Sequence, residues 1–461
     1  MVVGDLATAV DVVVLGAGPG GYVAAIRLAQ LGKAVALIDP GPPGGVCLNR
    51  GCIPSKALLA AAEHVWQAKH LSPMGIHAEK VTVDLSRMQA WKEEIVARLT
   101  GGVRQLLERN GVEWVVGKGW FLNENEVRVE GEYGAKRYRF EQAVIAVGGR
   151  PASLPGLPFD GERVLTPAGV FALNELPAGV SVIGADGMAV EAATFFARLG
   201  VPVRLLVPAG ESLLAGFEPS VGRQVAAQLR RLGATVETGV ADPVAATAEA
   251  AKVVVSVGQI ANTDGLHLEE VGVSPGANGF LAVNDRLQTG NPAIYAVGDV
   301  TEGHPSLASV AMKQGKVAAE VIAGRAAQYA PQAVPRVVWT DPEVASVGLT
   351  AAEAEAEGYA IVRGRFPLRA SGRALTLGRE QGFVLTVAEA GTEVLLGVTV
   401  VGARAAELIG KAALALEMGA TLTDVAETLE PHPGLGEALL ESAEAALGAA
   451  VHIVGGGGAG A

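Results

Sequence analysis

The chain has 461 residues, 50% of them hydrophobic and 18% charged, which suits roughly three packed domains and is too apolar for a disordered chain. Its formal charge is -12 and no run of Lys or Arg forms a stripe, so nucleic acid and anionic membrane are disfavoured and a basic protein partner is favoured. The 61 glycines follow no collagen period and read as tight turns and close backbone approaches.

The opening residues lack a basic segment running into an apolar core with a small-residue cleavage site, and Asp11 interrupts the first apolar run. No apolar stretch reaches membrane-spanning length, so a cytoplasmic protein is expected. Asp11 to Leu15 reads as a strand, Gly16-Ala17-Gly18-Pro19-Gly20-Gly21 as a glycine turn, Tyr22 to Leu31 as a helix and Ala34 to Ile38 as a second strand ending at Asp39. This is a βαβ unit with a dinucleotide fingerprint. Gly16 makes the turn, Gly18 lets backbone reach a pyrophosphate, Gly21 lets helix meet strand, and Asp39 accepts from ribose hydroxyls.

Cys47 and Cys52 are the only cysteines, so a structural staple is not expected in a reducing compartment. Their separation does not match a Cys-x-x-Cys ligand pair and the histidines lack paired spacing, so no metal is predicted. Residues five apart in a regular helix have Cα atoms ~8.7 Å apart, beyond the ~7 Å limit of a disulfide. The pair can bridge only if Cys47 lies outside regular helix, and Gly51 supplies that freedom. Pro54 suits an early helical position and the helix can run through Ala62, which puts Cys52 near a helix start where a thiolate is favoured. The alternative is two buried structural thiols, which need neither glycines nor a helix entrance.

Further along, Val112 to Val129 and Lys136 to Val147 alternate as antiparallel strands do, closing at Gly148-Gly149. A second strand, turn, helix and strand runs over Val180 to Ile183, Gly184 to Ala189, Val190 to Leu199 and Val203 to Val207, and implies a second nucleotide-binding domain. Ile294 to Val297 is a strand entering Gly298-Asp299. Beyond Val337 the pattern becomes antiparallel strands, Phe383 to Val387 and Leu396 to Val401, with amphipathic helices Ala405 to Met418 and Leu435 to Leu447, an α+β domain. The tail from Gly455 to Ala461 is expected to be mobile.

The stretch from Gly44 to Lys56 resembles the active site of the pyridine nucleotide–disulfide oxidoreductases, and the resemblance covers nearly the whole chain. It implies an α/β fold of two Rossmann-like nucleotide-binding domains plus a C-terminal α+β dimerisation domain. Expected boundaries are 1–151 for the FAD-binding domain, 152–271 for an NAD-binding-like domain, 272–335 for a central FAD-binding segment and 336–461 for dimerisation. It further implies FAD held by Gly16, Gly18, Gly21 and Asp39, with Lys56 beside the flavin and paired to Glu191. Gly298-Asp299 would bind the ribityl and phosphate region, and Gly148 would end a strand returning to the flavin. Cys47 becomes the interchange thiol and Cys52 the thiolate against the flavin. His432-Pro433-Gly434-Leu435-Gly436-Glu437 is similar to the family's His-Pro-Thr-x-Ser-Glu signature, making His432 a general base oriented by Glu437. In this family that base serves the other subunit's cysteines, which implies a homodimer. Trp339 to Thr350 resembles the start of the family's dimerisation domain.

Leu48-Asn49, Glu191, and Phe366-Pro367 followed by Arg369-Ala370 resemble the dihydrolipoamide dehydrogenase branch, a component of 2-oxoacid dehydrogenase complexes whose partner is an acyltransferase core and whose dithiol is a lipoyl group. The second unit departs from the family where NAD should sit. The central glycine is Asp186, the third is Ala189, the acid ending the second strand is Val207, and the family's Gly-Arg-Arg-Pro-Asn is Gly258-Gln259-Ile260-Ala261-Asn262. A carboxylate ~4–5 Å from a pyrophosphate costs about 3–4 kcal/mol at an effective dielectric near 20. Losing the ribose acceptor removes roughly 1.5–3 kcal/mol more. NAD use is therefore expected to be weakened or lost. The alternative to an enzyme is an NAD-deficient, flavin-bearing binding or scaffold protein or one using another electron acceptor, although a scaffold has no need of Cys47, Cys52, Lys56, His432 and Glu437 together.

Overall fold

The structure, a computed structural model, describes residues 7–132 and 134–454. The tail Gly455 to Ala461 lies outside the described residues. Four short strands, Val12–Leu15, Val35–Asp39, Gln142–Ile145 and Glu113–Val116, join Ile294–Ala296 in a parallel five-stranded sheet whose central strand is Val12–Leu15. Val12, Val13 and Val14 are wholly buried, because helices cover one face of this sheet and a second, smaller sheet covers the other, which is why the sequence there is an unbroken apolar run. Helix Pro19–Gln30 crosses from the first strand to the second, with Pro19 opening it, where a missing N–H costs nothing, and Arg27 in its last turn.

The strand Ile294–Ala296 belongs to this first sheet although the whole second sheet, Val164 to Val255, intervenes in the chain, and the residues from Ala261 to Leu281 have by then returned to the first sheet's core. The helix that follows it, Ala308–Ile322, packs against Pro19–Gln30, and a Cβ on Gly315 would collide with the carbonyl oxygen of Gly20. Against the sheet's other face lies a four-stranded sheet ordered Thr8–Ala9, Gly134–Arg139, Glu126–Gly131, Lys118–Asn123, antiparallel except that Thr8–Ala9 pairs in parallel with Gly134–Arg139. The antiparallel reading of Val112 to Val129 and Lys136 to Val147 is corrected at its ends. Glu113–Val116 and Gln142–Ile145 pair in parallel, because side-chain alternation reports a half-buried strand and not the direction of its neighbour.

A second parallel sheet runs Val164–Leu165, Lys252–Val255, Val180–Ile183, Val203–Pro208, Thr235–Val240. Its crossover helix, Gly187–Arg198, is buried along most of its length, since it is gripped between its own sheet, the helix Cys52–Lys69 and the C-terminal domain. That junction is polar as well as apolar. Arg198 approaches Asp341 at 3.3 Å, and Arg379 contacts both Asp341 at 3.2 Å and Glu63 at 3.0 Å, so one ionic cluster joins three parts of the chain. The C-terminal domain is an antiparallel sheet ordered Arg336–Val338, Val344–Gly348, Leu395–Val401, Phe383–Glu389, Ile361–Pro367, packed on helices Ala405–Glu417 and Glu437–Leu447. None of the helices described is long and apolar enough to cross a membrane.

Candidate active site

The glycine turn does three different things at three positions. Gly16 has φ +100° and a Cβ there would strike the Ala146 carbonyl, while a Cβ on Gly21 would strike the carbonyl of Gly16, so both are needed to bring helix and strands together. At Gly18 a Cβ would meet nothing within 4 Å. Gly18 caps helix Pro19–Gln30 without a side chain, leaving helix N–H groups facing open room, which is the cradle a pyrophosphate needs. Asp39 closes one wall of it, its carboxylate accepting from Ala17 N at 2.7 Å and Gly41 N at 2.7 Å. Burial pushes this carboxyl upward and those two bonds hold it back, so free lone pairs remain for a ribose.

Opposite, Gly298 has φ +77° and its N–H donates to Gln314 Oε1 at 2.7 Å. Asp299 beside it has no hydrogen-bond partner among the described residues, and burial pushes its carboxyl upward. Such a half-buried, unpartnered acceptor fits the hydroxyls of a ribityl chain. Gly148 has φ +68° and open space where a Cβ would stand. These residues together fit FAD.

The redox loop is stitched to the glycine turn: Gly44 N donates to Ala17 O at 2.8 Å, and Gly45 has φ +57° with its would-be Cβ 2.5 Å from the Gly18 Cα. Cys47 sits in the short helix Gly45–Asn49, which ends at Arg50 and Gly51, and Cys52 begins the helix Cys52–Lys69. The break between the two helices gives Cys47 the placement outside one continuous helix that bridging requires, and the second helix extends well past Ala62 to Lys69. Both cysteines are free thiols here, Cys47 half-buried and Cys52 exposed. They are not the buried inert pair of the alternative reading. A hydrogen bond from Cys47 holds the Cys52 thiol down to about 7 against the opposing effect of burial, and the Lys56 ammonium assists. That same bond, with burial and the Cys52 charge, pushes the Cys47 thiol well up.

Lys56, one turn into the redox helix, places Nζ 2.7 Å from Glu191 Oε2 on the second crossover helix. The other Glu191 oxygen accepts from Trp339 N at 3.0 Å, and Lys56 lies 5.8 Å over the Trp339 ring. The sequence places Trp339 in the start of the dimerisation domain and gives no sign of its bond to Glu191. Nothing local could show it, since the two are 148 positions apart.

In the C-terminal domain His432 Nδ1 lies 2.7 Å from Glu437 Oε1, and Glu437 Oε2 accepts from Gly434 N at 2.8 Å. Burial would raise the Glu437 carboxyl, but the Gly434 bond and His432 hold it below its ordinary value. The glycine that replaces Thr has a steric reason, since a Cβ at 434 would collide with the Pro431 backbone carbonyl, whereas one at 436 would meet only the movable end of the Glu430 side chain. The His432 side chain is 81% exposed and engages Glu437 alone among the described residues, so within one chain it is not joined to the cysteine pair.

The second crossover unit holds its own carboxylate. Asp186 caps helix Gly187–Arg198, accepting from Ala189 N at 2.8 Å and from Ser256 Oγ at 2.7 Å. Val207 is fully buried. These residues do not fit the pyrophosphate and ribose of NAD.

Residues 10–315 match the family described as pyridine nucleotide-disulphide oxidoreductase, and residues 334–443 match its dimerisation domain. Among curated relatives, the dihydrolipoyl dehydrogenase of Geobacillus stearothermophilus is 42% identical and that of Haloferax volcanii 44%, each across 98% of this chain and the whole of the relative. Among solved structures, LpdA of Mycobacterium tuberculosis superposes with a TM-score of 0.86 at 26% identity, covering 95% of this chain and 99% of the other.

Proposed function

The chain belongs to the pyridine nucleotide-disulphide oxidoreductase family, and from that premise we propose that it oxidises dihydrolipoamide, free or carried on a lipoyl domain, through Cys47 and Cys52. The observation that carries this reading is the asymmetric thiol pair, one sulfur held as a thiolate near neutrality and the other protonated, hydrogen-bonded into a dinucleotide cradle. In the oxidised enzyme the two sulfurs form a disulfide. A substrate thiolate attacks Cys47 Sγ and breaks the S–S bond, and the electron pair leaves on Cys52, which Lys56 and the helix entrance stabilise as a thiolate. The second substrate thiol then displaces Cys47, yielding the cyclic disulfide, so two electrons stay with the enzyme, one substrate proton ends on the released Cys47 thiol and one must go to a base. His432, steered by Glu437, takes a proton from the substrate dithiol. FAD, held by Gly16, Gly18, Gly21, Asp39 and Asp299, would supply a two-electron acceptor for the reduced cysteines.

Exposed Leu414, Met418 and Leu429 lie in the matched dimerisation domain and suit a homodimer, in which His432 of one chain serves the cysteines of the other. The net charge of -12 suits docking on a basic peripheral domain of a 2-oxoacid dehydrogenase acyltransferase core in the cytoplasm. The test is anaerobic mixing of the yellow, FAD-loaded dimer with dihydrolipoamide. Rapid bleaching of the flavin that Cys47→Ser abolishes is expected. A flavin left oxidised by excess dithiol would end the proposal.

A further inference from the structure

The two crossover units can be matched position by position through their own hydrogen bonds. Gly16 N donates to Ile38 O at 2.8 Å and Gly184 N to Leu206 O at 3.1 Å, so the residues next along, Asp39 and Val207, are equivalent. A Cβ on Gly16 would strike the Ala146 carbonyl and one on Gly184 the Ser256 carbonyl, which equates Ala146 with Ser256. Gly18 and Asp186 both cap their crossover helices from extended backbone, with φ and ψ of -67° and -178° against -87° and 177°.

The match exposes a coupled set of changes. Around Gly18 the direction of a Cβ is empty to 4 Å, and that emptiness is the cofactor cradle. Asp186, on nearly the same backbone, sends its carboxylate to the head of its helix. There it accepts from Ala189 N at 2.8 Å and from Ser256 Oγ at 2.8 and 2.7 Å on its two oxygens. The hydroxyl that holds it comes from the position where the first unit has Ala146, which has none to offer. Asp39, the acceptor that faces a ribose in the first unit, is here Val207, followed by Pro208-Ala209-Gly210-Glu211 with no cation for a 2′-phosphate.

We infer that the second unit is closed to pyridine nucleotides: the Asp186 carboxylate, fixed by Ser256, occupies the anion place at the head of helix Gly187–Arg198, so thiol-driven flavin reduction is uncoupled from NAD. A helix head already neutralised by its own carboxylate attracts no phosphate and repels one that approaches. The inference rests on the family membership, and not on which dithiol is oxidised.

Equilibrium binding of NADH to the FAD-loaded dimer tests it, read by nicotinamide fluorescence, with flavin content and thermal midpoint reporting the fold of each variant. Asp186→Asn keeps the helix cap and removes the charge, and should tighten NADH binding about tenfold or more. Asp186→Gly with Val207→Glu should tighten it by on the order of a thousandfold relative to wild type. Because Val207 is wholly buried, its replacement by Glu can unfold the domain, and Asp186→Asn then carries the test alone. Micromolar NADH binding by the wild type would overturn the inference, as would a folded, flavin-loaded Asp186→Asn protein that binds no better than wild type. The readout is binding, so it holds whether or not dithiol reduces the flavin.

Discussion

At Cys52 one proton decides reactivity. Its pKa is lowered to about 7 from an ordinary value near 9, so the thiolate predominates above pH 7. The sign follows: the stability this charge contributes to the reduced protein is full above the ordinary thiol value and lost as pH falls through 7. The ultraviolet absorbance of the thiolate in dithiol-reduced protein should titrate near 7, and Cys47→Ala should move that midpoint up by about one unit because the donor is gone. An unmoved midpoint would show that the hydrogen bond is not the cause. His432 carries the complementary proton. Replacing it with Ala should slow flavin reduction by dihydrolipoamide by about 10²–10⁴-fold while flavin content and thermal midpoint stay unchanged, measured by stopped flow alongside a melt.

At the scale of elements, the glycine turn separates folding from binding. Gly18→Ala places a methyl group where nothing stands within 4 Å, so the apoprotein should melt as wild type does while FAD affinity falls, because that space belongs to the cofactor. Gly21→Ala drives its methyl into the Gly16 carbonyl and should cost roughly 2–4 kcal/mol of stability before any ligand is added. Thermal melts of the two apoproteins, with flavin titrations, distinguish these outcomes. The fingerprint, the cysteine stretch and the His432–Glu437 turn were legible because each is a local pattern within a few residues. What was not legible is non-local. The helix Leu85–Arg109 went unanticipated, although Asp84 caps it by accepting from Arg87 N and its buried positions recur along one side. Parallel membership of Glu113–Val116 depends on a strand some 75 residues earlier, and the Ser256 hydroxyl that fixes Asp186 comes from 70 positions away. The charge of Asp186 could be seen in the sequence, but not the partner that makes it a fixture.

For the whole molecule, the proposed dimer, in which His432 serves the cysteines of the other chain, would make activity a property of the pair. Refolding an equal mixture of Cys47→Ser and His432→Ala chains gives hybrid dimers in which one of the two sites has both groups intact. About a quarter of wild-type dithiol activity should therefore return from two nearly inactive parents, as measured by flavin bleaching. If catalysis ran within one chain, mixing would restore nothing. The late return of Ile294–Ala296 to the first sheet, with Ala308–Ile322 locking against Pro19–Gln30 through Gly20 and Gly315, also bears on how the chain is made. On a ribosome adding 5–20 residues per second, roughly ten to fifty seconds separate emergence of the first cofactor-binding strands from the segment that completes their sheet. Through that interval Cys47 and Cys52 have neither the finished cradle nor a flavin beside them. The nascent chain therefore carries two accessible thiols through a vulnerable adolescence, so the reducing power of the compartment where it is synthesised guards the active site before the enzyme exists to use it.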